Sequence, residues 1–285
     1  MTKTTTIRNW PGGVPTISGG TRTAIKLARP WQTRGPFANP LNCPFEPNRL
    51  KADKRRILKR SPDGSWVGIS ARFTPYRHHA LVVPVTCANW PEEKLRLLGG
   101  ETEIALALKL ARRFITGKAV EVITVNVGWL GGQNVGHPHW HAFTLPSGAA
   151  KNSPQKTARL LAKMADDDSS IVEDESFRAF AGGHRAGQCF ILPKVSGTTK
   201  PPARLLSRVI DLYARKFRGT AGEELAPDFT IELIFDQGQF GFGTYVPILN
   251  AWGSTEYIAL LGQQPVTLPW PHHLTAAYLR GEIVL

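Results

Sequence analysis

Apolar positions along this chain fall into short runs punctuated by Gly, Pro and polar residues, with a few longer stretches at helical spacing. Residues 65–73 (SWVGISARF) read as a strand, and residues 79–85 (HALVVPV) as a buried strand ending at Pro84, whose missing N–H stops the ladder. Pro91 opens a predicted helix that runs to about Thr116. Proline suits a first turn, two Glu follow it, and Gly117 lies past the end. Gly99-Gly100 offers a place for that helix to split. Residues 119–127 form a further apolar strand, followed by a glycine-rich loop and a strand over residues 137–141. Residues 1–40 carry many Thr, Gly and Pro without sustained periodicity and read as an arm. Residues 149–186 are polar, include Asp166-Asp167-Asp168, and predict one helix and a connecting loop.

The second half echoes the first. Cys189-Phe190-Ile191-Leu192-Pro193 matches Ala80-Leu81-Val82-Val83-Pro84, Ala214-Arg215-Lys216-Phe217 matches Ala111-Arg112-Arg113-Phe114, and Asp236-Gln237-Gly238 matches Asn126-Val127-Gly128. Pro84 stands 42 positions before Asn126, and Pro193 stands 43 before Asp236. Shared order with shared spacing points to a duplication. The expected organisation is an arm (1–40), a first repeat (41–148), a connector (149–186) and a second repeat (187–285). The second repeat has Gln239-Phe240-Gly241-Phe242-Gly243-Thr244-Tyr245-Val246-Pro247 where the first has its histidines. His272 and His273 lie beyond that stretch, in a proline-rich segment, and read as surface or packing residues.

Composition narrows the class. With 285 residues and 42% hydrophobic content the chain can bury a full core. No run of about 18 apolar residues marks a membrane span. The polar start lacks the apolar region of a secretory signal. Three widely spread cysteines, Cys43, Cys87 and Cys189, suit a reducing compartment, so the expected location is the cytoplasm. A net charge of +13 favours anionic partners. Nucleic acid is one such partner, but clusters such as Lys54-Arg55-Arg56 and Lys59-Arg60 form no long basic tract, so nucleotides suit the chain better.

The chemistry concentrates in His137-Pro138-His139-Trp140-His141, which holds three of the eight histidines. Side chains two apart on a strand share a face, so the three imidazoles would project together while Trp140 points into the core. Clustered imidazoles can attack, donate or accept protons near neutral pH. A neutral imidazole is a good nucleophile toward phosphorus, and the resulting N-linked phosphoryl group is labile enough to be passed on. His139, with an imidazole on each side, is the best placed to attack. Three alternating histidines also suit zinc, for which imidazole is a common ligand.

The segment from Asn126 to His141 resembles the histidine triad superfamily. The signature is His-x-His-x-His preceded by Asn-x-Gly and Gly-Gln, found here as Asn126-Val127-Gly128, Gly132-Gln133 and His137-Pro138-His139-Trp140-His141. The strand containing His78 and His79 also resembles the family's His-x-Leu-Val-x-Pro strand. The His-Pro-His opening and paired repeats look most like the branch of galactose-1-phosphate uridylyltransferases and dinucleoside-tetraphosphate phosphorylases. His141 departs from that branch, whose commonest residue there is Gln, and is usual in the hydrolase branch.

The resemblance implies an α+β fold of two repeats, each an antiparallel sheet with a packed helix, the second degenerate. It implies transfer of an NMP unit from a nucleotide sugar or dinucleoside polyphosphate, through a nucleotidyl-His139 intermediate, to phosphate or a phosphorylated acceptor. Transfer to water is the alternative, and nucleotide or nucleic-acid binding without turnover the second. A carbonyl near His137 would fix the tautomer of His139, with the His137 ring supporting it. His141 would donate a proton or hold phosphate. Gln133 and Asn134 would meet phosphate oxygens on the loop with Gly132, as neutral donors to developing charge. Asn126 would bind the nucleoside or phosphate, or cap a turn. His79 would support the triad from behind. Trp129 would stack a base or pack.

No cofactor is required by this chemistry. A structural zinc would need Cys43-Pro44-Phe45-Glu46 to act as a Cys-x-x-Cys half-site with Glu46 replacing the second Cys, completed by His137 and by His78 or His79. A simple turn accounts for that segment as well. A homodimer follows from family resemblance alone.

Overall fold

The computed structural model describes residues 5–9, 15–19, 45, 47–52, 57–71, 77–86, 98–115, 117, 119–127, 137–145, 153–165, 169–182, 188–216 and 229–247. Strands β1 (Thr5–Asn9) and β2 (Pro15–Gly19) pair as a separate antiparallel hairpin within the expected arm. After helix α1 (Pro47–Ala52) come β3 (Ile57–Arg60), β4 (Trp66–Ser70) and β5 (Arg77–Pro84). Helix α2 (Glu101–Ala111) leads to β6 (Val120–Val127) and β7 (Trp140–Thr144). Helix α3 (Pro154–Met164) precedes β8 (Ser170–Glu173), β9 (Phe177–Ala181) and β10 (Cys189–Pro193). Helix α4 (Ala203–Lys216), β11 (Phe229–Asp236) and β12 (Gln239–Pro247) complete the described chain.

Strands β3 to β12 form one antiparallel sheet in the order β3-β4-β5-β7-β6-β11-β12-β10-β9-β8. Read outward from the β6–β11 seam, each half has the same plan, and each has one helix between its third and fourth strands. The expectation of a sheet in each repeat therefore becomes a single ten-stranded sheet, joined where β6 pairs with β11 from Val127↔Phe229 to Val120↔Asp236. The expected connector also contributes two strands, β8 and β9, to the outer edge of the second half. Short runs such as Ile171-Val172 and Phe177 to Ala181 carry enough alternating apolar character for this, despite their charged flanks.

The faces of the sheet differ. On one, α2 and α4 pack side by side. Ile104, Ala107, Leu108 and Ala111 of α2 are buried at the i, i+3, i+4, i+7 spacing of a core stripe, with Trp66, Val82, Ile123, Val125 and Trp140 against them. Gly100 is the N-cap of α2, which confirms the break expected at Gly99-Gly100, and Glu101 and Glu103 complement the helix dipole. Gly68 on β4 admits the Phe114 ring, since a Cβ there would lie 2.1 Å from Phe114 Cζ. Arg112 Nη2 donates to Gly238 O at 2.7 Å, and its guanidinium sits 4.9 Å from the Phe235 ring centroid, tying the first helix to the second half.

The other face is covered in two patches. Helix α3 starts at Pro154, capped by Ser153, and places Leu161 on Val122, Phe143, Phe190, Ile234 and Phe242. Phe45 and Leu50 cover Val67, Ile69 and Val83. The histidines lie between these patches. No helix among the described residues is long and apolar enough to cross a membrane.

Candidate active site

Strand β7 begins only at Trp140, so His137 and His139 precede the regular ladder instead of lying within it as expected. The alternation survives: Trp140 is fully buried among the helices' partners, and the histidines face the opposite side. The irregular backbone frees main-chain carbonyls to hold imidazoles. His139 Nδ1–H donates to the His137 carbonyl at 2.9 Å, and His137 Nε2–H donates to the Pro84 carbonyl at 2.9 Å. These bonds assign a proton to Nδ1 of His139, so in the neutral ring Nε2 carries the lone pair. His137 and His139 are only 4% and 8% exposed, and such burial suits neutral, hydrogen-bonded rings.

His141 lies within β7, opposite Leu81 of β5 and Thr124 of β6. Its ring centroid is 4.9 Å from that of His139. Its Nδ1 is 3.0 Å from His79 Nε2. If His79 donates in that bond, neutral His141 carries its own proton on Nε2, a donor for an anionic oxygen. An irregularity in the β5–β7 register between Arg77 and Ala80, with His78 at φ 53, marks the bend that brings His79 to this pair. His78 itself is exposed.

Asn126 sits near the end of β6, opposite Thr230 of β11. The β6–β7 ladder ends at Val125↔Trp140, one residue short of Asn126 on β6 and of His139 before β7. Phe45, which sequence reasoning missed as a site residue, flanks the triad with ring centroids 5.7 Å from His137 and 5.5 Å from His139. It lies inside the Cys43–Glu46 stretch, which reads in sequence as a metal half-site or a simple turn. Thr124 was also missed, and only the pairing register reveals it. Gly132, Gln133, Asn134, Trp129, Cys43, Glu46, His272 and His273 lie outside the described residues. Among those described, no group of three or more His, Cys, Asp or Glu side chains is placed to hold a metal ion.

No family model matches the sequence, and no curated protein matches it. Solved structures do. An ADP-glucose phosphorylase from Arabidopsis thaliana with bound ADP-glucose aligns over 99% of this chain and 100% of its own, at 16% identity and a TM-score of 0.61. A uridylyltransferase mutant aligns over 85% of this chain and 91% of its own, at 15% identity and a TM-score of 0.53. Yeast Ap4A phosphorylase Apa2 aligns over 86% of this chain and 71% of its own, at 14% identity and a TM-score of 0.52. At these identities the likeness establishes the fold alone: this chain shares the α+β architecture of these proteins.

Proposed function

We propose that this protein transfers a nucleotidyl group through a covalent intermediate on His139. The observation that carries the reading is the 2.9 Å bond from His139 Nδ1–H to the His137 carbonyl, which leaves Nε2 as a neutral nucleophile. Nε2 attacks the α-phosphorus of a nucleotide sugar or dinucleoside polyphosphate. A P–N bond forms, the P–O bond to the leaving group breaks, and the leaving oxygen takes its proton from His141 where it needs one. Phosphate or a phosphorylated acceptor then attacks the same phosphorus and frees His139. The shared fold with an ADP-glucose phosphorylase and an Ap4A phosphorylase supports a nucleotide donor. The His79–His141 pair favours a second reading, in which it takes a proton from water and the acceptor is water.

The test is intact-mass spectrometry after brief mixing with ADP-glucose, UDP-glucose or diadenosine tetraphosphate. A nucleotide-sized adduct on the wild type, absent from His139→Ala, is expected, with the His139→Ala rate down by at least about 10³-fold. Adding phosphate should discharge the adduct to a nucleoside diphosphate; discharge to the monophosphate alone would select water as acceptor. An adduct that persists in His139→Ala would place the nucleophile elsewhere. Nucleotide binding with neither adduct nor turnover would leave a binding protein.

A further inference from the structure

The ten-stranded sheet ends in two strands that hold the same place in the two halves, β3 at one edge and β8 at the other. Their charges are opposite. Residues 51–60 contain six Lys and Arg against Asp53 alone, whereas residues 166–175 contain six Asp and Glu and no Lys or Arg. Each stretch has an apolar pair between its charges, Ile57-Leu58 in the basic one and Ile171-Val172 in the acidic one. In a chain of net charge +13, such an acidic stretch is no reflection of average composition. Lys59, Arg60, Glu173 and Glu175 are exposed. Glu173 pairs with Lys194 at 3.0 Å, but Lys59, Arg60, Asp174 and Glu175 enter no ion pair among the described residues.

Edge strands invite pairing with other chains, and charge is the common guard against it. Here the guard is selective. Two β3 edges would set Lys59 and Arg60 against their own copies, and two β8 edges would set carboxylates together. Like charges across a strand pair repel, whereas opposite charges stabilise it, so only β3 against β8 is favoured. The topology agrees. Every neighbouring pair in the sheet is antiparallel and the strands number ten, so β3 and β8 run in opposite directions. A second copy placed end to end therefore continues the antiparallel order across the junction. In that pairing Lys59-Arg60 meets the start of β8, which follows Asp166-Asp167-Asp168 in sequence, and Glu173-Asp174-Glu175 meets the start of β3, which follows Lys54-Arg55-Arg56. Leu58, 50% exposed, comes opposite the Ile171-Val172 stretch. Arg208 of α4 already donates to the Glu173 carbonyl at 2.6 Å, which confines a shared ladder to the residues before Glu173.

We propose that the basic β3 edge of one copy of this chain docks on the acidic β8 edge of a second copy, head to tail. The contact joins two different surfaces, so each copy added leaves one edge of each sign at the ends of the assembly. It grows into an open chain of copies where a two-fold contact would close at a dimer. Two four-residue strands bury little area, and exposed charges supply much of the attraction, so the association is weak and falls with salt. It does not depend on the nucleotidyl-transfer reading, because His141 lies on β7, three strands in from β3.

The test is sedimentation velocity of the full chain from about 5 µM to about 500 µM, in about 30 mM and again in about 500 mM salt. In low salt the average sedimentation coefficient should climb across the range without levelling at a dimer, and high salt should abolish the climb. Two variants carry the decisive comparison, Lys59→Gln with Arg60→Gln in one protein and Glu173→Gln with Glu175→Gln in the other. Each should weaken self-association about five- to tenfold. Mixed one to one, they retain one intact edge of each sign, so the mixture should form a dimer as readily as the wild type associates and stop there. All four side chains are exposed, so both variants should keep their Tm within about 2 °C. Glu175→Gln alone serves if loss of the Glu173–Lys194 pair loosens the edge. A monomer at every concentration would overturn the proposal, as would an assembly that both variants leave unchanged. Loss in the β3 variant alone would put the acidic surface elsewhere and overturn the pairing with β8. A mixture no more associated than its components would do the same.

Discussion

The two halves of the sheet share one order of elements and differ most at one connection. Between β6 and β7 the chain passes through residues 128–139, with glycines at 128, 131, 132 and 136. Between β11 and β12 it turns on Gln237 and Gly238 alone, and pairing resumes at once with Asp236↔Gln239. In the first half β7 therefore starts late, and the irregular residues before it use carbonyls to fix two imidazoles. In the second half the corresponding stretch stays within the ladder, interrupted only by an irregularity at Gly241. It is filled by Phe240 and Phe242 and sealed by α3, whose Pro154 packs so closely on Gly241 that a Cβ there would lie 2.7 Å away. Backbone groups of this hairpin that leave the ladder bond to neighbouring segments, Phe240 N–H to Thr198 O at 2.8 Å and Gln237 N–H to Ala119 O at 3.4 Å. The two imidazoles thus depend on the irregular residues 137–139 that precede β7 more than on the ladder itself.

The sharpest way to break this contrast is to write the second half's residue into the first. His79 stands five positions before Pro84, and Gln188 stands five before Pro193. His79→Gln keeps a hydrogen-bonding side chain beside His141 but removes the ring that can pass a proton. We expect the rate of adduct formation to fall about 10²-fold while nucleotide Kd changes less than about threefold. Single-turnover rates between pH 5 and 9 should also lose the limb contributed by the imidazole pair. A wild-type rate and pH profile in the variant would reduce His79 to packing.

How far such contrasts are legible in the sequence depends on whether they are local. The strand ending at Pro84, the helix break at Gly99-Gly100 and the burial of Trp140 all follow from spacing and punctuation within one segment. The β6–β11 seam joins residues more than a hundred positions apart, and no local pattern announces it. β8 and β9 were hidden because charged residues mask a four- or five-residue alternation. The triad was found by residue type and interval, but its backbone was not. A carbonyl that accepts from a ring two residues on is compatible with the same letters as a regular strand. Phe45 and Thr124 become visible only when distant segments are set side by side.

The halves should also respond differently to alkali. Cys189 occupies the place of Ala80, and Tyr213 that of Leu110, so titratable groups replace apolar ones in the second half's core. Burial pushes the Cys189 thiol up to about 12, and it pushes the phenols of Tyr213 and Tyr245 well above their ordinary range. A group whose folded pKa is raised stabilises fully below its unfolded pKa, and that contribution is lost as pH rises toward the folded value. From about pH 9, then, the unfolded thiol ionises while the folded one does not, and stability should fall by about 1.4 kcal/mol per pH unit from Cys189 alone. Urea unfolding from pH 7 to 10.5 should show this fall, with a shallower slope in Cys189→Ala. Hydrogen exchange should loosen β10 and α4 before β5 and α2. Parallel slopes in the two proteins would remove Cys189 from the account.

The smallest effect belongs to the tight turn itself. Gln237 and Gly238 have φ of 48 and 77, the pair of left-handed residues that a two-residue hairpin turn requires and that Asn-Gly fills best. Glutamine carries its Cβ into this region at a cost that asparagine largely avoids. Gln237→Asn should therefore raise stability by about 0.5 kcal/mol, seen as a higher urea midpoint at unchanged m, and Gln237→Val should lower it by about 1 kcal/mol or more. Neither should alter nucleotidyl transfer. The antiparallel seam places this turn beside Val120, at the opposite end of β6 from Asn126 and the histidines. A change in rate without a change in midpoint would mean that the tight turn of the second half reaches the histidines of the first, and that the two ends of β6 are coupled.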